Sequence, residues 1–226
     1  MRSRSAFLSP KLVLTDIEGT TTPIAFVRDT LFPYARSRLA AFIQRPDLAV
    51  QAALAAVPGP DRLATLLAWM DADAKEGPLK ALQGMIWAVG YADGTLKGAL
   101  YTDVAPALQA WHRAGVRMVV YSSGSVAAQR LLFRHSVAGD LEPLFANFFD
   151  TGVGNKREPG SYAAIARTVA QEPSAILFLS DIEAELDAAA AAGLDTCQLV
   201  RAADGTQASA RHRRAGDFWG VQGGCS

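Results

Sequence analysis

Apolar residues along this chain follow two rhythms. Five short stretches are largely apolar, the first without alternation: Leu12 to about Asp16, Val116 to Tyr121, Phe145 to Phe149, Ala175 to Ser180, and Thr196 to Val200. Such runs predict strands buried on both faces of a parallel sheet. Between the later ones, apolar positions recur at helical spacing over about 104–114, 126–135 and 160–171, and an alanine-rich run ends at Ala192 before Gly193. Strand and helix in alternation predict an α/β core, a mostly parallel sheet with helices on both faces.

From Pro23 to Gly98 only the helical rhythm is present. It covers about 27–44, 47–57, 61–74 and 78–89, punctuated by Pro46, Pro58, Gly59, Pro60, Gly77 and Pro78. The expected organisation is therefore a core formed by residues 1–22 and 99–226, with a helical cap, residues 23–98, inserted after the first strand. The stretch Trp87 to Gly98 mixes aromatics, glycines and Lys97 and reads as a connector, with Lys97 either solvated or facing a substrate. Residues 1–11 read as a loose lead-in. Residues 202–226 read as an irregular tail over the core.

Composition narrows the function classes. The 226 residues are 50% hydrophobic, enough for a substantial core. Acidic and basic residues balance at 22 each, so no net field favours nucleic acid or an anionic membrane. The cluster Arg211, His212, Arg213, Arg214 reads as a solvated surface segment. Cys197 and Cys225, the only cysteines, imply neither a metal pair nor a disulfide framework: Cys197 is expected in the core and Cys225 as a loose thiol. Arg2 and Arg4 precede no apolar h-region, and no run reaches membrane-spanning length. A cytoplasmic protein is expected. Without a heptad or other assembly motif, a monomer is expected too.

The chemistry-bearing residues gather at strand ends. Asp16 and Glu18 follow the first strand in Asp16-Ile17-Glu18-Gly19-Thr20-Thr21-Thr22, Ser122 and Ser123 follow the second, Lys156 sits in the loop after the third, and Asp181 ends the fourth. In a parallel sheet these ends share one edge, where ligands bind. Each has an ordinary alternative: the serines and Asp181 as helix caps, Lys156 as a solvated side chain, and Glu183, Glu185 and Asp187 as a dipole-favoured first turn. Together they make a phosphate site. Two aspartates offer oxygen to a magnesium ion, Lys156 offsets phosphate charge, and a serine hydroxyl donates to phosphate oxygen. Asp16 then attacks phosphorus, while Glu18 protonates the leaving oxygen and later activates water.

The ordered set DIEGTT, YSSGS, a lysine before a helix, and FLSD resembles the haloacid dehalogenase superfamily of phosphatases, and a helical insert after the first motif resembles one of its cap types. With Glu18 in the second acidic position, Leu82-Gln83-Gly84, Gly90-Tyr91 with Lys97, Tyr101 with Asp103-Val104, and Ser180-Asp181 with Glu185-Leu186-Asp187, the chain from about Val13 to Val200 resembles the acireductone synthases, the enolase–phosphatases of methionine salvage. The segment Gly84 to Gly90 is more apolar than that family's usual pattern.

The resemblance implies a Rossmann-like core with a helical cap, one magnesium ion per chain, and a small phosphorylated diketone, 2,3-diketo-5-methylthiopentyl-1-phosphate, that is enolised and then dephosphorylated. It implies Asp16, Glu18 and Lys156 as catalytic residues. Asp16, Glu18 (through its carbonyl) and Asp181 would hold the metal, and Ser122, Ser123, Lys156 and Lys97 the substrate. Glu18 is the candidate enolisation base, and Trp87, Tyr91 and Lys97 are the cap residues expected to face substrate. A phosphatase for another small phosphoester, lacking the enolase step, is the alternative.

Overall fold

The computed structural model describes residues 10–225; the Arg2 and Arg4 segment and most of the expected lead-in lie outside them. The sheet has six parallel strands in the order β3 (Asn147–Phe149), β2 (Arg117–Tyr121), β1 (Leu12–Thr15), β4 (Ile176–Ser180), β5 (Asp195–Leu199), β6 (Arg214–Ala215). Its first strand, β1 (Leu12–Thr15), lies centrally with every residue buried, as an apolar run without alternation requires. Asp16 begins the loop rather than ending the strand.

The insert follows. Helices α1 (Ile24–Phe26) and α2 (Phe32–Phe42) are joined by one π-helical turn, Val27–Leu31; then come α3 (Leu48–Ala55), α4 (Arg62–Asp71) and α5 (Gly77–Ala92). They bury an apolar cluster of their own, with Leu39, Val50, Leu66, Leu82 and Ile86 at its centre. The chain leaves and rejoins the core at adjacent points, since the Tyr101 N–H donates to the Thr21 carbonyl at 3.1 Å.

The stretch expected as a connector from Trp87 is instead helical through Ala92. Gly90 belongs in that helix because a Cβ there would lie 2.4 Å from the Tyr34 hydroxyl oxygen, so only glycine lets α2 come this close.

The core continues with α6 (Val104–Arg113), β2 (Arg117–Tyr121), α7 (Val126–Arg134), β3 (Asn147–Phe149), α8 (Pro159–Thr168), β4 (Ile176–Ser180), α9 (Glu183–Ala191) and β5 (Asp195–Leu199). Side chains alternate across the sheet. Val13, Val120 and Leu177 pack with Leu108 of α6 and Phe133 of α7. Leu12, Leu14, Val119 and Phe178 pack on the other face with Ile165 of α8 and Leu186 of α9.

The final segment is not an irregular tail. It adds β6 (Arg214–Ala215), parallel to β5, and α10 (Phe218–Gln222), whose fully buried Phe218 packs against Trp111 with ring centroids 5.3 Å apart. Docking α10 returns Cys225 to β5, where it forms a disulfide with Cys197. Cys225 is therefore no loose thiol. The pairing is set by tertiary packing across 28 residues, which spacing alone does not reveal.

The basic cluster is likewise more engaged than expected. Arg211 pairs with Glu183 and Asp187, and the buried His212 ring bridges Asp187 and Thr196.

Candidate active site

The sheet order places the ends of β2, β1 and β4 side by side, so the residues singled out in the loops meet at one edge. Asp16, only 5% exposed, receives the Ile17 N–H on Oδ1 at 2.7 Å, and Lys156 Nζ lies 2.7 Å from its Oδ2. Lys156 is held from behind, as Tyr162 donates to its carbonyl and Tyr121 donates to that of Gly154. Its ammonium also lies 2.7 Å from Glu185 Oε2. Burial works against the charge, but the two carboxylates outweigh it and hold Lys156 above its usual pKa.

The Ile17–Thr22 segment folds back on itself. The N–H groups of Thr20, Thr21 and Thr22 converge on the Ile17 carbonyl, and Gly19 takes φ +65°. This turn presses on Asp181: a Cβ on Gly19 would stand 2.4 Å from Asp181 Oδ2, and the Asp181 N–H donates to Thr20 Oγ1 at 3.1 Å. Burial first, and Asp16 second, push the Asp181 carboxyl up to about 7.

Two buried carboxylates thus repel each other across the site, and Asp181 Oδ1 has no hydrogen-bond partner. That oxygen-only, charge-rich arrangement fits a hard divalent cation such as magnesium. Among the described residues no group of three or more His, Cys, Asp or Glu side chains could hold a metal. The fit therefore needs backbone, phosphate or water oxygen as well, the usual habit of magnesium.

Above these residues a cleft of about 620 Å³ opens between the sheet edge and the insert. Glu18, Ser122 and Ser123 line its floor, while Phe32, Trp69, Met70, Lys75, Lys80 and Trp87 are among its upper walls. Glu18 stays open to solvent, yet the crowded walls and Asp16 raise its pKa, with Lys75 and Lys156 pulling the other way.

The serines separate in role. Ser122 is buried, its N–H on the Phe149 carbonyl, and Ser123 is exposed to the cleft. Ser125, not either of these, caps α7 through the Ala128 N–H.

The expected cap contacts divide. Trp87 lines the cleft, with Nε1 anchored on the Leu31 carbonyl at 2.8 Å. Tyr91 is buried against His135 rather than in the lining. Lys97 is exposed and also outside the lining, so the structure does not bring it to the other site residues.

Two contributors were given no site role from the sequence. Glu185 is buried against Lys156, accepts from Ser180 Oγ at 3.1 Å, and has its pKa raised by burial and then by Asp16. It is not a solvated helix-start acid. Arg201, 5% exposed, donates twice to the Thr20 carbonyl at 3.2 and 2.8 Å and forks onto Asp103 at 3.0 Å with two nitrogens. It fixes the turn that carries Gly19. The only signal for it was a charged residue straight after a buried strand.

Comparison with known proteins agrees with this geometry. Residues 10–193 match the haloacid dehalogenase-like hydrolase family. An enolase-phosphatase E1 of Acidiphilium cryptum is 55% identical over 94% of both chains, and one of Granulibacter bethesdensis is 56% identical over 94% of this chain and 95% of its own. The crystal structure of the UTR4 protein of Saccharomyces cerevisiae superposes with a TM-score of 0.80 at 34% identity, covering 92% of this chain and 98% of that one. CbbY of Rhodobacter sphaeroides, 19% identical with a TM-score of 0.64, shares the fold. With a site of this design and relatives this similar, the chain belongs to the haloacid dehalogenase-like hydrolases and, among them, to the enolase-phosphatase E1 family.

Proposed function

We propose that this chain converts 2,3-diketo-5-methylthiopentyl-1-phosphate into the acireductone 1,2-dihydroxy-3-keto-5-methylthiopentene and inorganic phosphate, enolising first and hydrolysing second. The observation that carries the reading is the buried Asp16–Lys156 pair beneath a cleft whose floor carries Glu18, a carboxylate that forms no ion pair among the described residues. The apolar upper wall, with Phe32, Trp69, Met70 and Trp87, suits a methylthioalkyl chain. The relatives' shared name supports the two-step reaction.

In this reading the phosphate lies against Ser122 and Ser123, with Lys156 beside it. Glu18, its pKa raised toward the working range of a base, removes the proton from the carbon bearing the phosphate ester. Asp16 then attacks phosphorus through its carboxylate, Glu18 returns the proton to the departing oxygen, and Glu18 next draws a proton from the water that cleaves the aspartyl-phosphate. One magnesium ion would be held by Asp16, the Glu18 carbonyl and Asp181. When bound, it supplies positive charge against the phosphate and Lewis acidity at oxygen. Excluding water until the enol phosphate has formed falls to the helices above.

The test follows two signals in one sample of diketone phosphate, enzyme and magnesium: ultraviolet absorbance of the enediol and release of phosphate. Both should appear, and both should vanish with chelator. Phosphate without enediol would leave an ordinary phosphatase.

A further inference from the structure

Four cationic side chains line the cleft: Arg28, Arg36, Lys75 and Lys80. Three are already neutralised. Arg28 pairs with Asp29 at 2.6 Å, Arg36 with Asp71 at 2.8 Å, and Lys75 with Asp73 at 2.6 Å. Lys80 alone among these four forms no ion pair with any described residue. Its Nζ instead donates to the Ser123 carbonyl at 3.2 Å. That bond spans the cleft, from the first turn of α5 to the loop after β2. It leaves an ammonium with two further N–H donors beside the serines proposed to hold the phosphate.

Besides the Lewis acidity that magnesium would supply, enolisation needs a proton donor at that place. When the carbon bearing the phosphate ester loses its proton, the C–H electron pair becomes the C1=C2 bond and the carbonyl π pair settles on the C2 oxygen. This oxygen is separated from the ester oxygen by only two carbons, so it lies next to the phosphate loop. Asp16 and Glu185 neutralise Lys156, and Glu18 is occupied as base. We propose that Lys80 is a catalytic residue of the enolase step, the cation that stabilises the enolate oxygen and protonates it. The proposal rests on the enolase–phosphatase reading above. Lys80 gives one proton to the enolate oxygen and regains one from water, to which it is partly open. The proton taken by Glu18 remains available for the leaving oxygen in the phosphatase step. Atoms and charge balance with no further reactant.

The experiment compares wild type, Lys80→Met and Lys80→Arg, each with magnesium, by enediol formation from the diketone phosphate. Calorimetric binding of inorganic phosphate reads the integrity of the phosphate site. Loss of one oxyanion donor in a preorganised site costs about 100- to 1,000-fold in rate. Lys80→Met should therefore lose enolisation by about that factor, and Lys80→Arg should recover about tenfold of it. Phosphate affinity should stay within about threefold in both. Enolisation by Lys80→Met within about threefold of wild type overturns the proposal. So does an equal loss of phosphate binding and enolisation, which would make Lys80 only a tie between insert and core. A wild type that releases phosphate without enediol overturns the underlying enolase reading as well.

Discussion

Asp16 has one carboxylate oxygen on a backbone N–H and the other on Lys156, so its direction is fixed before any substrate arrives. Replacing it with asparagine keeps the shape and removes the proposed nucleophile. Phosphate release by Asp16→Asn should fall by about three orders of magnitude or more, measured by phosphate assay, with a thermal midpoint near wild type. Gly19 sets the other side of the site. Gly19→Ala places a methyl where Asp181 Oδ2 now lies and also forces an L residue to φ +65°. Phosphate release should drop by about tenfold or more, and magnesium affinity, by titration, should weaken with it. That the acidic residues and serines gather at one edge was legible because each lies just past the end of a buried strand. Glu185 was not. A glutamate in a first helical turn already has a local explanation, and only the loop bringing Lys156 to it shows otherwise.

Among elements, the long strands and helices were legible because their burial imposes period and length. The two-residue β6 and five-residue α10 are too short to carry a period, and they persist through docking rather than propensity. The end of α5 was misread because glycine normally signals a loop, whereas Gly90 is required by the Tyr34 ring. One prediction belongs here. Glu142, in the turn before β3, is held by Arg130 at 2.7 Å and Arg134 at 2.6 Å, both from α7. Burial pushes its pKa up, but the hydrogen bonds from Arg134 and Arg130 outweigh this and leave it depressed. A depressed carboxylate stabilises the fold fully above the ordinary value of about 4.3 and loses that contribution as pH falls through the folded value. With both arginines about half exposed, Glu142→Gln should cost about 1 kcal/mol at neutral pH in urea unfolding. The gap to wild type should close in acid.

On the scale of the whole molecule, two apolar clusters sandwich the sheet and a third fills the insert. The disulfide then ties the last helix to β5. Closing a loop of this length is worth about 3.5 kcal/mol through the unfolded state. Cys225→Ser should lower unfolding stability by about that amount, and a reductant should do the same to wild type but nothing to the variant. The parallel α/β plan was legible from alternating rhythms. The disulfide was not, since it depends on where a terminal helix docks.

The insert begins just past Thr21 and the chain is back at Tyr101, with those two residues one hydrogen bond apart. The whole helical excursion therefore hangs from a closed neck. The register of β1 with β2 and β4, on which the geometry around Asp16 rests, is formed by residues on the sheet side of that neck. On the proposed reading, choice of substrate and cleavage of the phosphoester are then separately heritable: drift in the helices retunes one while the other stays under the older constraint of the sheet.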